Sequence, residues 1–179
     1  NPYPIDVLLI DKINPWSGCY PTGNWKKALE KIPFVVSFSP FLDETSRYAD
    51  LILPDHTFLE KWQDVIPSST LGSPVMGVCQ PTVEPFLDTK NTADVLLEIS
   101  QKLDNSLQKT IPWKNYLELL QDGLQGVYES RRGMIYGTSF QAAWLGQMEK
   151  GGWWSPTYSN FEEFWQQLLE KGGWWDPFY

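Results

Sequence analysis

The sequence predicts an α/β fold in which a parallel sheet is flanked by helices and followed by a helical, aromatic-rich extension. In the first hundred residues, three short apolar runs of strand length alternate with amphipathic helical segments. Strands that are apolar on both faces and separated by helices are typical of a parallel sheet covered on both sides. From about residue 104 the pattern changes to helical spacing with many aromatic residues. We therefore expect an α/β domain over residues 1–104 and a helical Trp-rich extension over residues 105–179.

Each element of the α/β part follows from a local pattern. The predicted strands are Ile5–Ile10, Phe34–Phe38 and Leu51–Leu53. Asn24 opens a helix between the first two strands, and Asp43 begins a short helical turn between the second and third. Asn91 or Thr92 caps a last helix, whose apolar face consists of Leu96, Ile99 and Leu103. This alternation indicates a partial Rossmann-like sheet, in which ligands bind beyond the carboxyl ends of the strands.

The extension is predicted from helical spacing and from a repeated motif. One helical face consists of Trp113, Tyr116, Leu117 and Leu120. A second helix, with Asn160 as its N-cap, presents Phe161, Phe164, Trp165 and Leu168. The motif EKGGWW occurs at residues 149–154 and 170–175, and in each copy a glycine is expected to end a helix in the left-handed conformation. We interpret the tryptophans as packing residues and the two motifs as surfaces that dock against other parts of the protein.

The composition argues against several classes of function. A net charge of −8 is unfavourable for a nucleic-acid partner, since such proteins concentrate Lys and Arg. No window approaches the roughly 20 apolar residues of a membrane span, so we expect no direct membrane insertion. Cys19 and Cys79, with a single histidine, cannot hold an iron–sulfur cluster, and they are either free thiols or a disulfide. We predict neither catalytic residues nor metal ligands in this chain.

The most informative motifs lie between Phe34 and Gln63. In order, they are Glu44-Thr45, Ala49-Asp50, Leu53-Pro54 and Glu60. Asn14-Pro15 precedes them and the run Gln80–Pro85 follows them. In these motifs the sequence resembles the molybdopterin oxidoreductases of the dimethyl-sulfoxide-reductase superfamily. Within these motifs, the amino-acid sequence is similar to those of the large subunits of thiosulfate, polysulfide and tetrathionate reductases and of quinone-linked complexes.

The resemblance implies a fragment of a catalytic subunit that holds part of one molybdopterin guanine dinucleotide. The molybdenum or tungsten and the 4Fe-4S cluster would belong to other parts of the longer protein. The opening Asn1-Pro2, which lacks a Met, agrees with this expectation. The expected partners are the remainder of the subunit, together with ferredoxin-like and membrane quinone-reactive subunits, on the periplasmic or exported side of a membrane. The longer protein would carry out two-electron chemistry on a sulfur oxyanion or in a quinone-linked reaction, and the residues around its metal, which set the substrate, lie outside this chain.

Three strand-end loops hold the candidate cofactor-binding residues. These are Asn14, Pro15, Ser37, Ser39, Asp43, Thr45 and His56. Guanine N1 and N2 are donors that suit a carboxylate or hydroxyl, and phosphates suit backbone N–H groups at a helix start. The resemblance places an Asp more often at the position of Ser39 and a Thr at that of Asp43, so this chain reverses the two groups.

Each of these residues also has a purely structural interpretation. Asp43 can cap the turn that follows it, and Asn14 can be a turn residue that packs its loop. His56 can be a hydrogen-bonding residue at the surface. Glu60 and Trp62 are expected to tie down the loop after the third strand.

Two other functions remain open on the sequence. A homologue that keeps the fold for assembly and electron routing, without a pterin, is favoured by Ser39 in place of the usual acid. Molybdenum in the purified full-length protein would argue against it. The second is an aromatic-rich carbohydrate-binding module, although such modules are usually antiparallel β-sandwiches. Glycan binding that is lost on Trp153→Ala or Trp174→Ala would favour that function.

Overall fold

The computed structural model describes residues 5–18, 24–66, 74–103, 105–130, 133–135 and 158–176. The chain forms two compact units, each built from two segments. Unit 1 consists of Asn1–Glu60 and Val83–Pro112, and unit 2 consists of Lys61–Thr82 and Trp113–Tyr179. The two units are defined by contacts within the structure. The domain boundary at residue 104 was inferred from the change in sequence pattern and stays a prediction. Among the described residues, no helix is both long and apolar enough to span a membrane.

Unit 1 contains a three-stranded parallel sheet in the order β1-β2-β3. Its strands are β1 (Val7–Ile10), β2 (Phe34–Ser37) and β3 (Leu51–Ile52). Each strand lies inside a predicted run and is one or two residues shorter, which confirms the α/β class. Ile10 is in register with Ser37 across the parallel pair, so their side chains lie on the same face of the sheet.

In the described residues of unit 1, four helices and one 3-10 turn accompany this sheet. They are α1 (Pro15–Gly18), α2 (Trp25–Leu29), α3 (Thr92–Leu103), α4 (Asn105–Thr110) and the turn Ser46–Tyr48. The helix predicted to begin at Asn24 ends at Leu29, and Ile32, three residues further on, packs against the core. The core of the unit is formed by Ile10, Leu29 and Val35. Helix α2 therefore covers one face of the sheet.

The other face of the sheet is largely exposed in the described part of the chain. The exposed side chains, each 40–53% accessible, are Val7, Leu9, Phe34 and Leu51. On this face Val36, in the central strand, is buried. The prediction of a parallel sheet flanked by helices is confirmed, but on this face the described residues cover the strands only in part. The apolar pattern of a strand shows which of its side chains can be buried. It does not show which part of a protein covers them.

Helix α3 buries a different stripe from the one predicted. Leu97 and Ser100 are buried, whereas the predicted face is exposed and consists of Leu96, Ile99 and Leu103. Both sets recur at helical spacing, so periodicity alone does not decide between them. The predicted cap is confirmed, since the side-chain oxygen of Asn91 accepts a hydrogen bond from the backbone N–H of Ala93.

Unit 2 contains a four-stranded antiparallel sheet in the order β4-β5-β7-β6. Its strands are β4 (Gln63–Val65), β5 (Val75–Cys79), β6 (Met134–Ile135) and β7 (Gly173–Trp175). The predicted helical extension over residues 105–179 contains β6 and β7, and the prediction missed all four strands because strands of two to five residues are too short to show clear alternation. Cys79 is an exposed free thiol, and Cys19 lies outside the described residues.

Two helices of unit 2 begin with the same capping arrangement. They are α5 (Tyr116–Glu129) and α6 (Phe161–Lys171). The side chain of Asn115 accepts from the N–H of Glu118, and that of Asn160 accepts from the N–H of Glu163, both at 2.9 Å. The second of these caps was predicted and is confirmed. Trp113 lies before the first cap, so its assignment to the helical face of α5 is wrong.

The core of unit 2 is rich in aromatic residues. Leu124, Phe164 and Leu168 have no exposed surface, and they pack with Val78, Leu120, Tyr158, Trp165 and Trp174. Gly172 ends α6 with φ +80°, as predicted, and the chain then enters β7 directly. Because Trp174 is buried, its packing role is confirmed and it offers no platform for a sugar. The first GGWW copy lies outside the described residues.

Candidate functional site

A polar network joins the loops that follow β1 and β2. The Asn14 amide donates to the Glu44 carboxylate at 2.8 Å, and its carbonyl oxygen accepts from the Thr45 hydroxyl. The Thr45 hydroxyl also accepts from the backbone N–H of Trp16, at 3.1 Å. The hydrogen bond from Asn14 is the main reason that the pKa of Glu44 lies below its usual value. The Asn-Pro and Glu-Thr motifs, which are about 30 residues apart in the chain, thus meet at the carboxyl edge of the sheet.

A second cluster lies within the loop after β2. The Ser39 hydroxyl donates to one oxygen of the Asp43 carboxylate at 3.0 Å, and the other oxygen accepts from the backbone N–H of Ser46 at 2.7 Å. Asp43 therefore caps the 3-10 turn, as the structural interpretation predicted. Burial alone would raise the pKa of Asp43, but the hydrogen bonds from Ser46, Ser39 and Thr45 together lower it. The carboxylate is thus charged at neutral pH and is held in one orientation.

Exposure separates the predicted residues into two groups. Ser37 and Thr45 are each 1% exposed, and Pro15 is buried at the start of α1. The Ser37 hydroxyl accepts from the backbone N–H of Ser39 at 3.3 Å, and this hydrogen bond fixes the start of the loop after β2. The partly exposed members are Asn14, Ser39, Asp43 and His56. The buried residues of the set can act only by positioning the exposed ones.

His56 makes its contact in a different part of unit 1. Its Nδ1 lies 2.7 Å from the Thr89 hydroxyl, in the segment that leads into α3. This agrees with the interpretation of His56 as a hydrogen-bonding residue. Its neighbour Asp55 is 3% exposed and accepts from the backbone N–H of Thr92 at 2.9 Å, at the first turn of α3. The loop after β3 is thereby fixed to the start of that helix.

Sequence reasoning missed an aromatic pair that joins the first two loops. The rings of Trp16 and Tyr48 are stacked, with centroids 5.0 Å apart and planes inclined by 17°. The Lys26 ammonium lies 5.8 Å from the centre of the Tyr48 ring, at the outer limit of a cation–π contact. Trp16 and Tyr48 are 32 positions apart in the chain, and a contact between residues so far apart leaves no local signal in the sequence. The stacked rings thus join the same two loops as the hydrogen bond between Asn14 and Thr45, through an apolar contact.

The backbone of the first loop also departs from the usual conformations. Lys12 has φ +54°, the only non-glycine residue with positive φ in the described part of the chain. Its neighbour Asp11 accepts a hydrogen bond from the Thr92 hydroxyl at 3.4 Å. A left-handed lysine is held in place by its surroundings rather than by its own preference. No group of three or more His, Cys, Asp or Glu side chains among the described residues is arranged to bind a metal.

A parallel sheet with polar loops at its carboxyl edge is the usual arrangement of α/β cofactor-binding domains. The profile of the family described as molybdopterin oxidoreductase matches residues 4–102, which include all three strand-end loops. This match covers more than half of the chain, and the chain belongs to that family. The resemblance inferred from the Asn-Pro, Glu-Thr, Ala-Asp and Leu-Pro motifs is confirmed.

Similar curated proteins come from several reductases and dehydrogenases. The chain is 34% identical over 97 residues to the menaquinone reductase, molybdopterin-binding-like subunit, of Nitratidesulfovibrio vulgaris, a match that covers 54% of the chain and 14% of the relative. It is 32% identical over 165 residues to a sulfite dehydrogenase subunit of Allochromatium vinosum, covering 82% and 16%. It is 30% identical over 114 residues to the thiosulfate reductase molybdopterin-containing subunit PhsA of Salmonella typhimurium, covering 64% and 15%. The chain thus spans only 14–16% of the length of these relatives.

Proposed function

We propose that this chain forms part of the site that holds one molybdopterin guanine dinucleotide within a larger molybdopterin oxidoreductase. The observation that carries the proposal is the contact between the Ser39 hydroxyl and the Asp43 carboxylate. This pair lies just beyond the carboxyl end of β2, where α/β domains bind their ligands. The reversed order of hydroxyl and carboxylate matters little when the two groups touch, because the same chemistry is offered at the same place.

The acceptors of this loop fit the edge of a guanine. Guanine N1–H and N2–H are donors, and a carboxylate has about four lone-pair sites for accepting hydrogen bonds. Within the loop, one oxygen of Asp43 accepts from the Ser39 hydroxyl and the other from the backbone N–H of Ser46, and Thr45 also contributes, so a guanine edge would share or replace these donors. Its lowered pKa keeps the group ionised, which suits an acceptor-only role. Asn14 and Thr45 hold the neighbouring loop in place beside it.

This geometry supports different roles for the cofactor and for the chain. When bound, the cofactor supplies the two-electron redox chemistry, and this chain supplies binding and orientation. The names of the similar proteins, which include sulfite dehydrogenase, thiosulfate reductase and menaquinone reductase, support a sulfur-oxyanion or quinone-linked reaction for the longer protein. We further propose that the longer protein carries a 4Fe-4S cluster and works with ferredoxin-like and membrane quinone-reactive subunits on the exported side of a membrane.

Guanine nucleotide binding tests the proposal directly. We expect the chain to bind GDP at least about tenfold more tightly than ADP, because adenine presents an acceptor where guanine N1 presents a donor. Isothermal titration calorimetry with each nucleotide measures the difference. Asp43→Asn should remove the preference, and Asp122→Asn, which changes an exposed carboxylate on α5, should keep it. Equal affinity for the two nucleotides, or a preference that survives Asp43→Asn, would contradict the proposal.

A second candidate is a homologue that keeps the fold without the pterin. Two observations favour it: both oxygens of Asp43 already have partners in the loop, and one similar protein is named a molybdopterin-binding-like subunit. It predicts that the folded chain does not bind GDP at millimolar concentration. It also predicts that the purified full-length protein contains no molybdenum by mass spectrometry.

A further inference from the structure

The carboxylate of Glu44 contacts the Asn14 side chain, although Glu44 is not among the predicted cofactor-binding residues. The Asn14 amide nitrogen donates to Glu44 at 2.8 Å, and the amide oxygen accepts from the Thr45 hydroxyl. An amide nitrogen carries two N–H donors. The second N–H of Asn14 has no partner among the described residues, and the side chain is partly exposed. One donor is therefore left unused at the carboxyl edge of the sheet.

Glu44 decides which way this amide faces. An asparagine amide can take two orientations that exchange its oxygen and its nitrogen. The Thr45 hydroxyl accommodates both, because a hydroxyl can donate to the oxygen or accept from the nitrogen. An ionised carboxylate can only accept, so it keeps the nitrogen on its own side. The pKa of Glu44 lies below its usual value, chiefly through the hydrogen bond from Asn14, so the carboxylate is ionised at neutral pH.

The unused donor of Asn14 lies near the acceptor that the proposed guanine contact uses. The backbone N–H of Thr45 contributes a hydrogen bond to Asp43, and the Thr45 hydroxyl donates to Asn14. Asn14 and Asp43 are thus both within hydrogen-bond distance of one residue. The charges that act on Glu44 are those of Asp43 and Arg47. With two ionised carboxylates here, a neutral oxygen suits the donor better than a phosphate, because like charges repel.

We propose that Glu44 is a positioning residue that holds Asn14 so that its unused amide N–H donates to O6 of a bound guanine. The inference rests on the proposed function and adds a second contact with the same base. Guanine presents O6 as an acceptor, whereas adenine presents an N6 amine, which is a donor. A donor at Asn14 and an acceptor at Asp43 therefore match guanine and not adenine. Both contacts hold one rigid base, so the O6 contact forms only when Asp43 has placed the ring, and the two effects are not additive.

Calorimetric titration of the 179-residue chain with GDP, inosine diphosphate and ADP tests the contact with the base. Inosine diphosphate keeps O6 and N1–H and lacks only the N2 amine. We expect Asn14→Ala to weaken GDP and inosine diphosphate binding about tenfold and to leave ADP binding unchanged. Glu44→Gln should weaken GDP binding about twofold, because a glutamine amide both donates and accepts and so allows Asn14 either orientation. In the Asn14→Ala background, Glu44→Gln should have no further effect.

The side-chain amide resonances of Asn14 report its orientation without a nucleotide. In the nucleotide-free chain, these proton shifts should change as Glu44 is protonated, at a pH below the usual glutamate range. Glu44→Gln should abolish this titration. Glu84→Gln, which changes another exposed carboxylate of unit 1, is the matched control and should change neither the titration nor the three affinities.

Each part of the inference has an outcome that would overturn it. Equal weakening of GDP and ADP by Asn14→Ala would exclude the O6 contact, since the donor would then meet the ribose or the diphosphate. Amide resonances that do not follow the protonation of Glu44 would exclude its positioning role. A guanine preference that needs Asp43 but is undiminished in Asn14→Ala would overturn this inference and leave the proposed function standing. If the unchanged chain shows no guanine preference, the proposed function and the O6 contact both fall, and the amide resonances still decide whether Glu44 orients Asn14.

Discussion

Asp43 has two roles that depend on the same ionised carboxylate. It caps the turn at Ser46, and it is the acceptor that the proposed guanine contact uses. Both roles are weakened when the group is protonated, because a protonated carboxyl offers fewer acceptor sites. This residue therefore connects the stability of the loop with its proposed function.

The lowered pKa of Asp43 predicts how stability depends on pH. A carboxyl whose pKa is lower in the folded state stabilises the fold above its unfolded pKa, and this contribution is lost as the pH falls through the folded pKa. We expect Asp43→Asn to reduce stability at pH 7 and to reduce the loss of stability between about pH 5 and pH 3. Urea unfolding at several pH values measures both effects. If Asp43→Asn and Asp122→Asn show the same pH dependence, the hydrogen bonds at Asp43 do not favour its ionised form.

At this scale, the sequence predicts which polar residues follow the strands better than it predicts their contacts. Asn14, Asp43 and Thr45 were recognised because each ends or follows a strand in a known order of motifs. The pairing of Asn14 with Glu44, and the stack of Trp16 on Tyr48, were not. Both join residues about 30 positions apart, and the distance between such residues depends on the register of β1 and β2 rather than on local pattern.

The helices show what a local pattern can decide. Caps such as Asn160 and the left-handed Gly172 were predicted correctly, because the signal and the structure involve the same few residues. The buried face of α3 and the four strands of unit 2 were not, because each depends on what packs against it. Strand β7 is an example, since it pairs with β5, which lies about 100 residues earlier in the chain.

Two glycines in unit 2 should respond in opposite ways to alanine. Gly172 ends α6 with φ +80° and has open space around a Cβ, so Gly172→Ala should cost about 1 kcal/mol through backbone conformation alone. Gly123 lies inside α5, also with open space around a Cβ, so Gly123→Ala should stabilise by about 0.5–1 kcal/mol. Chemical denaturation of the two variants measures both changes. The same sign for both would show that the conformation at Gly172 is not what limits the substitution.

For the whole molecule, we predict the effect of one substitution in each unit on the free energy of unfolding. Leu124 has no exposed surface in the core of unit 2, so Leu124→Ala should lower the free energy of unfolding of that unit by about 2–5 kcal/mol. Leu103→Ala, at an exposed position of α3, should change stability by less than about 0.5 kcal/mol. Hydrogen exchange of the amides of α5 and α6 reports the loss in unit 2. Unchanged protection there after Leu124→Ala would mean that this core does not hold the unit together.

The exposed face of the parallel sheet should make any contact that buries it depend on temperature. Val7, Leu9, Phe34 and Leu51 leave hydrocarbon in contact with water, and burial of such surface near 25 °C is driven by entropy rather than by heat. Whatever layer covers these side chains is therefore held with a negative change in heat capacity. Its attachment is strongest at warm temperatures and loosens on cooling. A layer that covered them through apolar contact alone would therefore bind more weakly in the cold than at room temperature.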